Sequence, residues 1–290
     1  MRYVETTPML INGELVQAAS GKTLDSVNPA TEEVIGRIPA GGPADVEAAV
    51  AAAARAQVEW AKTEMDERAA RLRAVAARVA ERADEILQLE VRDTGNTISK
   101  MRGDVGMGIK VLEYYAGLGL ELKGSTIPAS QDHLHFTLRE PYGVVGRIIP
   151  FNHPVMFALS RMAAPLMAGN SIIIKPPEAS SLSAGILAEI CRDELPAGLV
   201  NIVTGTGAEA GAALVRHRQV KRLAFIGSVP TGLAIQRAAA EVCVKHVSLE
   251  LGGKNPMIIF PDVDPEVAAT AAVSAMNFAW QGQSCGSCSR

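Results

Sequence analysis

The stretch VVGRIIPFNHPVMFALSRMAAPLMAGNSIIIK, residues 144–175, decides the fold class of this chain. The apolar runs at 144–149 and 171–175 predict two strands, and the apolar repeat over 157–167 predicts a helix between them. Strands that are apolar throughout and joined by a helix are typical of a parallel sheet covered on both faces.

The same alternation continues toward the end of the chain, with predicted strands at 200–204, 222–226 and 246–251 and predicted helices at 184–194, 208–215 and 231–240. The pattern predicts a doubly wound α/β fold. Ligands of such sheets bind at the carboxyl ends of the strands. Polar or glycine residues follow all five predicted strands: Asn152, Lys175, Glu178, Gly205, Gly207, Gly227, Ser228 and Glu250.

The front of the chain predicts a smaller set of elements. A hairpin with turns is expected within 9–31, and helices are expected at 43–62 and 97–118. Between them we expect one helix that Asp66 caps and that ends at Gly95, which suits a left-handed C-terminal cap. Residues 122–139 are strand-like, and the alternation of His133 and His135 favours one wet strand face over a metal site, since no third ligand is evident.

Composition excludes several classes of function. A net charge of −3 gives no electrostatic reason to expect nucleic-acid binding. Residues 1–8 lack the apolar segment of a secretory signal and no apolar run approaches a membrane span, so a cytoplasmic protein is expected. Four scattered cysteines do not form a disulfide framework, and any functional cysteine should act as a thiol.

Two glycine-containing segments have two interpretations each. Gly205–Gly211 resembles the dinucleotide fingerprint, but its last glycine comes one residue late, so the glycines indicate only a close backbone approach. Residues 225–232, FIGSVPTG, lie between a predicted strand and helix. There Ser228 could face an anion at the helix N-terminus or cap the helix, and the two roles are compatible.

Two charged segments also leave an alternative open. Lys175 and Glu178 flank two prolines at a strand end, where the plain interpretation is a surface ion pair. In VSLELGGK, residues 247–254, Ser248 and Glu250 should face away from Val247, Leu249 and Leu251. Glu250 is then either a general base at the mouth of the sheet or an exposed edge carboxylate.

The last ten residues contain Cys285 and Cys288 in a C-x-x-C arrangement. A redox dithiol needs a thioredoxin-like context, and zinc needs two further ligands, and neither is evident. A single nucleophilic thiol among small residues is the better hypothesis. A disulfide between the two cysteines remains possible under oxidation.

Taken together, these segments resemble the aldehyde dehydrogenase superfamily from about Ile11 to the last residue. The segments that carry the resemblance are Asn28–Glu32, Arg139–Pro154 with Pro150–Pro154 as P-[WF]-N-x-P, Lys175–Glu178 as K-P-x-E, Glu250–Lys254 as E-L-G-G-K, and Gly282–Cys285 followed by Arg290 as G-Q-x-C-x(4)-R. The last two motifs are highly specific, and their order and separation agree with the family.

The resemblance implies oxidation of an aldehyde to a carboxylic acid through a cysteine thioester. Cys285 would be the nucleophile, Asn152 and the Cys285 backbone N–H would stabilise the oxyanion, and Glu250 would activate water. Cys288 would be a bystander, because the family's nucleophile stands two residues after the glutamine.

The resemblance also implies a bound NAD(P). Lys175 and Glu178 would hold the adenosine ribose, and Glu178 would disfavour a 2′-phosphate, so NAD is preferred and NADP is possible. The remaining implied cofactor contacts are Ile149, Pro150, Phe151, Gly207, Gly211, Phe225, Gly227, Ser228, Thr231, Leu251 and Gly252.

Members of this family are longer than 290 residues. The expected organisation is an NAD-binding domain at 1–120 and 140–252, an oligomerisation hairpin at 121–139, and only the start of the catalytic domain at 253–290. The homo-oligomer of the family is not expected for this truncated chain. The alternative to an active enzyme is a catalytically inactive dinucleotide-binding fragment, and the residues that would identify the aldehyde are mostly absent.

Overall fold

The computed structural model of the chain describes residues 5–288. Arg290 of the final motif and the first four residues therefore lie outside the described part. The strands are β1 (Met9–Ile11), β2 (Glu14–Val16), β3 (Thr23–Val27), β4 (Val34–Pro39), β5 (Thr126–Ser130), β6 (His133–Phe136), β7 (Val144–Ile148), β8 (Ser171–Lys175), β9 (Val200–Ile202), β10 (Val220–Gly227) and β11 (His246–Leu251).

The helices are α1 (Pro43–Trp60), α2 (Met65–Glu81), α3 (Ala83–Thr94), α4 (Ile98–Gly117), α5 (Pro154–Met167), α6 (Ser183–Glu194), α7 (Ala212–Arg216), α8 (Val229–Ala240) and α9 (Pro265–Ala275). No helix among the described residues is long and apolar enough to cross a membrane. The alternation of strand and helix from β7 onward confirms the predicted α/β fold class.

The main sheet has seven strands in the order β11-β10-β7-β8-β9-β1-β2. The strands from β11 to β9 are parallel, as predicted. The early hairpin then extends this sheet, because β1 pairs antiparallel with β9 through Leu10 and Ile202. The sequence predicts the hairpin but not its place in the sheet, since the pairing of β1 with β9 joins distant parts of the chain.

Helices cover both faces of the sheet, which confirms the doubly wound arrangement. One apolar cluster joins α2, α4, α5 and α6 to one sheet face, and the other joins α1, α7 and α8 to the opposite face. Trp60 closes the first cluster, since its indole N–H donates to the Leu166 carbonyl at 2.8 Å inside the core.

Two details of the helical front differ from the prediction. The expected single helix is broken at Arg82, whose backbone (φ −100°, ψ 13°) leaves the helical region. The Arg82 guanidinium contacts Glu85 at 2.8 Å and Glu189 of α6 at 2.6 Å, so tertiary contacts hold this break. Asp66 does not cap the helix, because α2 begins one residue earlier and Asp66 lies in its first turn.

Gly95 ends α3 with φ 73°, which confirms the predicted left-handed cap. A Cβ at Gly95 would lie 2.8 Å from Pro29, so glycine is also required by the close approach of the front segment. The predicted helix at 208–215 begins as a π-helical turn, Gly207–Gly211, before α7.

The predicted strand-like region at 122–139 is an antiparallel pair of β5 and β6, and all residues of both strands are exposed. His133 and His135 lie on β6, and no cluster of three metal-ligating side chains occurs within residues 5–288. The last helix, α9, follows Asp264, whose carboxylate accepts from the N–H groups of Glu266 and Val267. None of the residues of α9 is buried.

Candidate functional site

A pocket of about 500 Å³ lies where the carboxyl ends of β7, β10 and β11 meet the last described loop. It brings together all three residues predicted to be catalytic, Cys285, Glu250 and Asn152. The other lining residues are Pro150, Phe151, Ile226, Gly227, Val229, Leu251, Gly252, Gly253, Lys254, Gln283 and Ser284. Residues from three strand ends and one distant loop therefore share one concave surface.

Cys285 is exposed at this pocket and is a free thiol. Partial burial and the neighbouring Glu250 carboxylate raise the pKa of the Cys285 thiol. The backbone N–H groups of Cys285 and Gly286 act in the opposite direction. The thiol and the carboxylate thus share one pocket, in which a carboxylate can accept a proton from water.

The orientation of Glu250 follows from strand alternation. Val247, Leu249 and Leu251 of β11 pack against the apolar cluster of α1, α7 and α8, whereas Glu250 is exposed. Glu250 stands opposite Ile226 in the parallel register of β10 and β11. The predicted orientation is confirmed, and a general-base role for Glu250 remains a prediction.

Asn152 follows β7, and its side chain lies against the loop of Cys285. The Asn152 amide donates one hydrogen bond to the Gln283 carbonyl at 2.7 Å, and its Oδ1 is buried without a partner. One of its two amide N–H groups is therefore already used by the protein. The second is the one that can reach a ligand oxygen.

Asn96 is a site residue that the sequence analysis missed. It is buried, donates through Nδ2 to the Asn152 carbonyl at 3.1 Å, and accepts through Oδ1 from Gln283 at 3.2 Å. Gln281 adds a bond to the Gly95 carbonyl at 2.7 Å. Asn96, Asn152 and Gln283 therefore form a closed ring of hydrogen bonds that holds the Cys285 loop on the sheet.

A second missed group supports the same loop. The His153 ring bonds to the Asp104 carboxylate of α4 at 2.7 Å, and both side chains are buried. Trp280 packs on the His153 ring at 5.4 Å, and the Lys100 ammonium lies 4.7 Å from the Trp280 ring centre. No local pattern predicts these contacts, because they join residues far apart in the sequence.

Two buried carboxyl groups lie behind this network. Burial raises the pKa of Glu90 to about 8, with smaller contributions from Asp93 and Asp104, and burial raises the pKa of Asp93 to about 6. Glu90 is fully buried, and its Oε1 has no hydrogen-bond partner. At neutral pH a neutral Glu90 carboxyl group is therefore favoured.

We expect these pKa values to make the protein less stable as the pH rises. A folded pKa of about 8 for Glu90, above the unfolded 4.5, means that the folded state binds more protons between these values. The free energy of unfolding should therefore fall through this window. Between pH 5.5 and 8.5 the loss due to Glu90 is expected to be up to about 3 kcal/mol.

Urea unfolding of the Glu90→Gln variant tests this expectation. The variant should lack most of this loss, whereas the exposed Glu67→Gln control should keep the parental pH dependence. An unchanged pH dependence in Glu90→Gln would contradict the raised pKa.

The other half of the strand edge carries Lys175 and Glu178. Lys175 is buried, and burial lowers its pKa to about 8, opposed by the charge of Glu178. Glu178 is exposed, and its carboxylate accepts from the Gly207 N–H at 2.8 Å. No ion pair joins the two residues within the described chain, so the surface ion-pair interpretation is wrong.

The loop before α8 holds the remaining predicted contacts. The Ser228 hydroxyl accepts from the Thr231 N–H and bonds to the Thr231 hydroxyl at 2.9 Å, so Ser228 caps the helix as predicted. Gly227 lines the pocket and lies over the buried Phe225 ring, where a Cβ would come within 2.4 Å. Ile149 and Gly211 are buried next to the same edge, after β7 and in the π-helical turn.

These residues form a set of donors and acceptors suited to a dinucleotide. A buried ammonium, a carboxylate with one engaged oxygen, and the N-terminus of α8 lie along one sheet edge. A Cβ at Gly207 or Gly252 would meet no atom within 4 Å, so the backbone there is open to a ligand. The residues present therefore fit a ribose and a pyrophosphate.

The two C-terminal cysteines differ in surroundings. Cys288 is not among the pocket residues, and its backbone N–H donates to the Ala275 carbonyl at 2.8 Å. All four cysteines are free thiols in the described chain, so no Cys285–Cys288 disulfide is formed. The assignment of Cys288 as a bystander stays a prediction.

Comparison with known proteins gives one consistent result. The model of the aldehyde dehydrogenase family matches residues 15–290. Aldehyde dehydrogenase tropH of Talaromyces stipitatus is 45% identical over 269 residues, which are 92% of this chain and 52% of that protein. The chain therefore spans about half the length of the curated relative that it matches.

Solved structures agree. An NAD+ complex of an aldehyde dehydrogenase from Bacillus cereus is similar with a TM-score of 0.94 and 40% identity, covering 97% of this chain and 58% of that one. HpcC from Thermus thermophilus is similar with a TM-score of 0.95 and 38% identity, covering 98% and 55%. PnpE from Pseudomonas sp. WBC-3, solved with nicotinamide adenine dinucleotide, is similar with a TM-score of 0.92 and 40% identity, covering 96% and 57%.

Proposed function

This chain belongs to the aldehyde dehydrogenase family, and from that premise we propose that it serves the NAD(P)-dependent oxidation of an aldehyde to a carboxylic acid. The observation that carries the proposal is the shared pocket of Cys285, Glu250 and Asn152 at the carboxyl ends of the strands. A thiol, a carboxylate and an amide in one pocket supply a nucleophile, a base and an oxyanion donor.

The proposed reaction uses these groups in order. Cys285, as the thiolate, attacks the aldehyde carbon, and the free amide N–H of Asn152 and the Cys285 N–H stabilise the oxyanion. The hydride leaves the carbon now bound to Cys285, which turns the thiohemiacetal into the thioester; a bound NAD(P)+ would supply the hydride acceptor. Glu250 then removes a proton from the water that hydrolyses the Cys285 thioester, which releases the acid and restores the thiol.

We propose that the cofactor lies along the sheet edge that carries Lys175, Glu178 and the N-terminus of α8. Lys175 and Glu178 would hold the adenosine ribose, and Gly207, Ser228 and Thr231 would face the pyrophosphate. The remaining proposed contacts are Ile149, Pro150, Phe151, Gly211, Phe225, Gly227, Leu251 and Gly252.

Nucleotide binding without turnover is a second candidate for the chain of 290 residues. The observation that favours it is the exposed apolar surface after β11, where Ile258, Phe260, Val267 and Val273 are each at least half exposed. Apolar surface of this extent opposes a well-ordered catalytic loop.

Absorbance at 340 nm separates the two candidates. The chain is incubated with NAD+ and a panel of aliphatic and aromatic aldehydes, and NADH binding is measured by fluorescence in parallel. Aldehyde-dependent NADH formation supports the enzyme, binding alone supports the second candidate, and the absence of both contradicts the proposed function.

Glu178 is expected to set the preference for NAD over NADP. Its carboxylate lies at the edge proposed for the adenosine ribose, where it would repel a 2′-phosphate. In Glu178→Gln the affinity for NADPH relative to NADH should rise about tenfold, since no carboxylate charge then faces the 2′-phosphate of NADPH. Fluorescence titration with both nucleotides measures the ratio.

Glu209 provides the matched control, because it is exposed in the same turn and does not bond to Gly207. Glu209→Gln should leave the ratio unchanged. Equal ratios in Glu178→Gln and the parent would contradict the proposed contact.

Asn96 is expected to act as a positioning residue. Asn96→Ala removes the side chain that joins Asn152 to Gln283, leaving buried partners unpaired and lowering stability by about 1–3 kcal/mol. Asn152 would keep its direct bond to Gln283 but lose the side chain that fixes both residues, so the oxyanion donor and the thiol would be held less rigidly. Turnover should therefore fall roughly a hundredfold, with a smaller change in KM. Steady-state kinetics beside urea unfolding measure both effects.

Asn28→Ala is the control, since Asn28 is a half-buried asparagine whose side chain accepts only from the Ala30 N–H of its own turn. It should change neither quantity by much. An Asn96→Ala variant that turns over at the parental rate would show that the hydrogen-bond ring is only structural.

The arrangement into domains is also a proposal. We propose a nucleotide-binding domain at 1–120 and 140–252, an association arm at 121–139, and the start of a catalytic domain at 253–290. The fully exposed β5 and β6 support the arm. Light scattering of the parent and of a chain lacking 124–137 would show whether this arm forms oligomers.

A further inference from the structure

A second cavity, of about 330 Å³, lies on the sheet face that α4 and α5 cover, and three arginines line it. Arg147 comes from β7, Arg161 from α5 and Arg222 from β10. We call it the arginine cavity. The arginine cavity is distinct from the pocket of Cys285, although Ile226 and Glu250 line both.

The strand register explains why two of these arginines meet. Arg147 stands opposite Ala224 in the pairing of β7 and β10, and Arg222 precedes Ala224 by two residues. Side chains two residues apart on a strand point to the same face. Ser248 of β11 is also opposite Ala224, and its hydroxyl accepts from the Arg222 guanidinium at 3.0 Å.

The positive charges in the arginine cavity are not balanced. Within residues 5–288, none of the three guanidinium groups forms an ion pair with a carboxylate. Glu250 is the one acidic side chain among the described lining residues, so three positive charges meet one negative charge. Burial and the charges of Arg222 and Arg161 lower the pKa of Arg147 to about 10, which leaves it charged at neutral pH.

Arg147 also carries an unsatisfied donor. Its Nε is buried and has no hydrogen-bond partner. A buried N–H on a charged group is costly without an acceptor, because it has lost its water. An oxyanion in the cavity would supply that acceptor and the missing negative charge.

The remaining walls are suited to an organic body rather than a bare inorganic ion. Tyr115, Ile149, Ala164 and Ile226 line the cavity beside the hydroxyl of Ser160. Guanidinium groups bind carboxylates through paired N–H donors, and the apolar walls would pack against a short carbon chain. We propose that the arginine cavity binds a small organic carboxylate.

Binding can be measured without nucleotide or aldehyde, so the result does not depend on the proposed enzymatic function. Thermal unfolding of the 290-residue chain is followed in Tris chloride at constant ionic strength while sodium butyrate replaces sodium chloride. A saturable rise in the unfolding temperature is expected with butyrate. The absence of such a rise would overturn the proposal.

Three variants assign any binding to the arginine cavity. Arg147→Gln and Arg161→Gln should each raise the half-saturating butyrate concentration at least about tenfold. Arg216→Gln, at an exposed arginine paired with Glu241, should leave it unchanged. Arg161 is itself exposed, so its variant decides the matter if Arg147→Gln does not fold.

Inorganic phosphate is the last arm of the experiment. Butyrate should bind more tightly, because phosphate gains nothing from the apolar walls. Phosphate binding as tight as that of butyrate would overturn the assignment to an organic carboxylate, and unchanged half-saturation in both Arg147→Gln and Arg161→Gln would overturn the assignment to this cavity.

Discussion

Cys285→Ser is expected to abolish aldehyde-dependent NADH formation, with a loss of roughly a thousandfold or more. The reason is chemical, since a serine hydroxyl ionises far less readily than a thiol and forms no thiolate nucleophile. The geometry adds to this, because Cys285 lines the pocket that contains Glu250 and Asn152. Stopped-flow absorbance at 340 nm should show neither a burst nor a steady state.

Cys288→Ser is the matched control, because Cys288 differs by three positions and is not among the described lining residues. It should keep the parental rate. Iodoacetamide labelling followed by mass spectrometry gives an independent check that needs no turnover. Faster labelling of Cys288 than of Cys285, or full activity of Cys285→Ser, would show that the nucleophile is wrongly assigned.

Glu250→Gln is expected to separate the two halves of the reaction. Without a carboxylate to accept the proton of water, hydrolysis of the thioester should slow by about a hundredfold to ten-thousandfold. Formation of the thioester depends on the Cys285 thiol and the amide donors, and this variant leaves those groups in place. The expected result is therefore one NADH per chain in a burst, followed by very slow turnover.

The same variant, although it slows hydrolysis, should make the Cys285 thiol more reactive. The Glu250 carboxylate raises the pKa of Cys285, so its removal should lower that pKa and increase the thiolate fraction at neutral pH. Iodoacetamide should then label Cys285 faster in Glu250→Gln than in the parent at pH 7. The rate measured from pH 6 to pH 10 gives the pKa directly.

Glu241→Gln is the control, because Glu241 is an exposed carboxylate paired with Arg216 away from the pocket. It should change neither labelling nor the burst. Parental turnover of Glu250→Gln would rule out Glu250 as the base, and slower labelling would contradict its effect on the thiol.

Much of the core fold could be predicted because it depends on short-range patterns. The strands at Ser171–Lys175 and His246–Leu251 agree with the predicted bounds residue by residue. Both are continuous apolar or alternating runs, and periodicity is strongest in such runs. The cap at Gly95 was predicted for the same reason, since a cap depends on one residue and its near neighbours.

Elements that depend on distant partners were not predicted. The break at Arg82 depends on Glu189 of α6, and the place of β1 in the sheet depends on β9. The alternative of a surface ion pair between Lys175 and Glu178 stayed open, because the sequence does not show that Lys175 is buried or that Glu178 bonds to Gly207.

The sequence by itself determined the family, the α/β class and the identity of the three residues that meet in the pocket, because those motifs are contiguous and chemically specific. Only the tertiary structure decided how Cys285 is held. Asn96, Gln283 and Asn152 join in one ring through contacts between distant segments. Such contacts, like the three arginines of the second cavity, depend on which strands and helices become neighbours, and no local pattern encodes that.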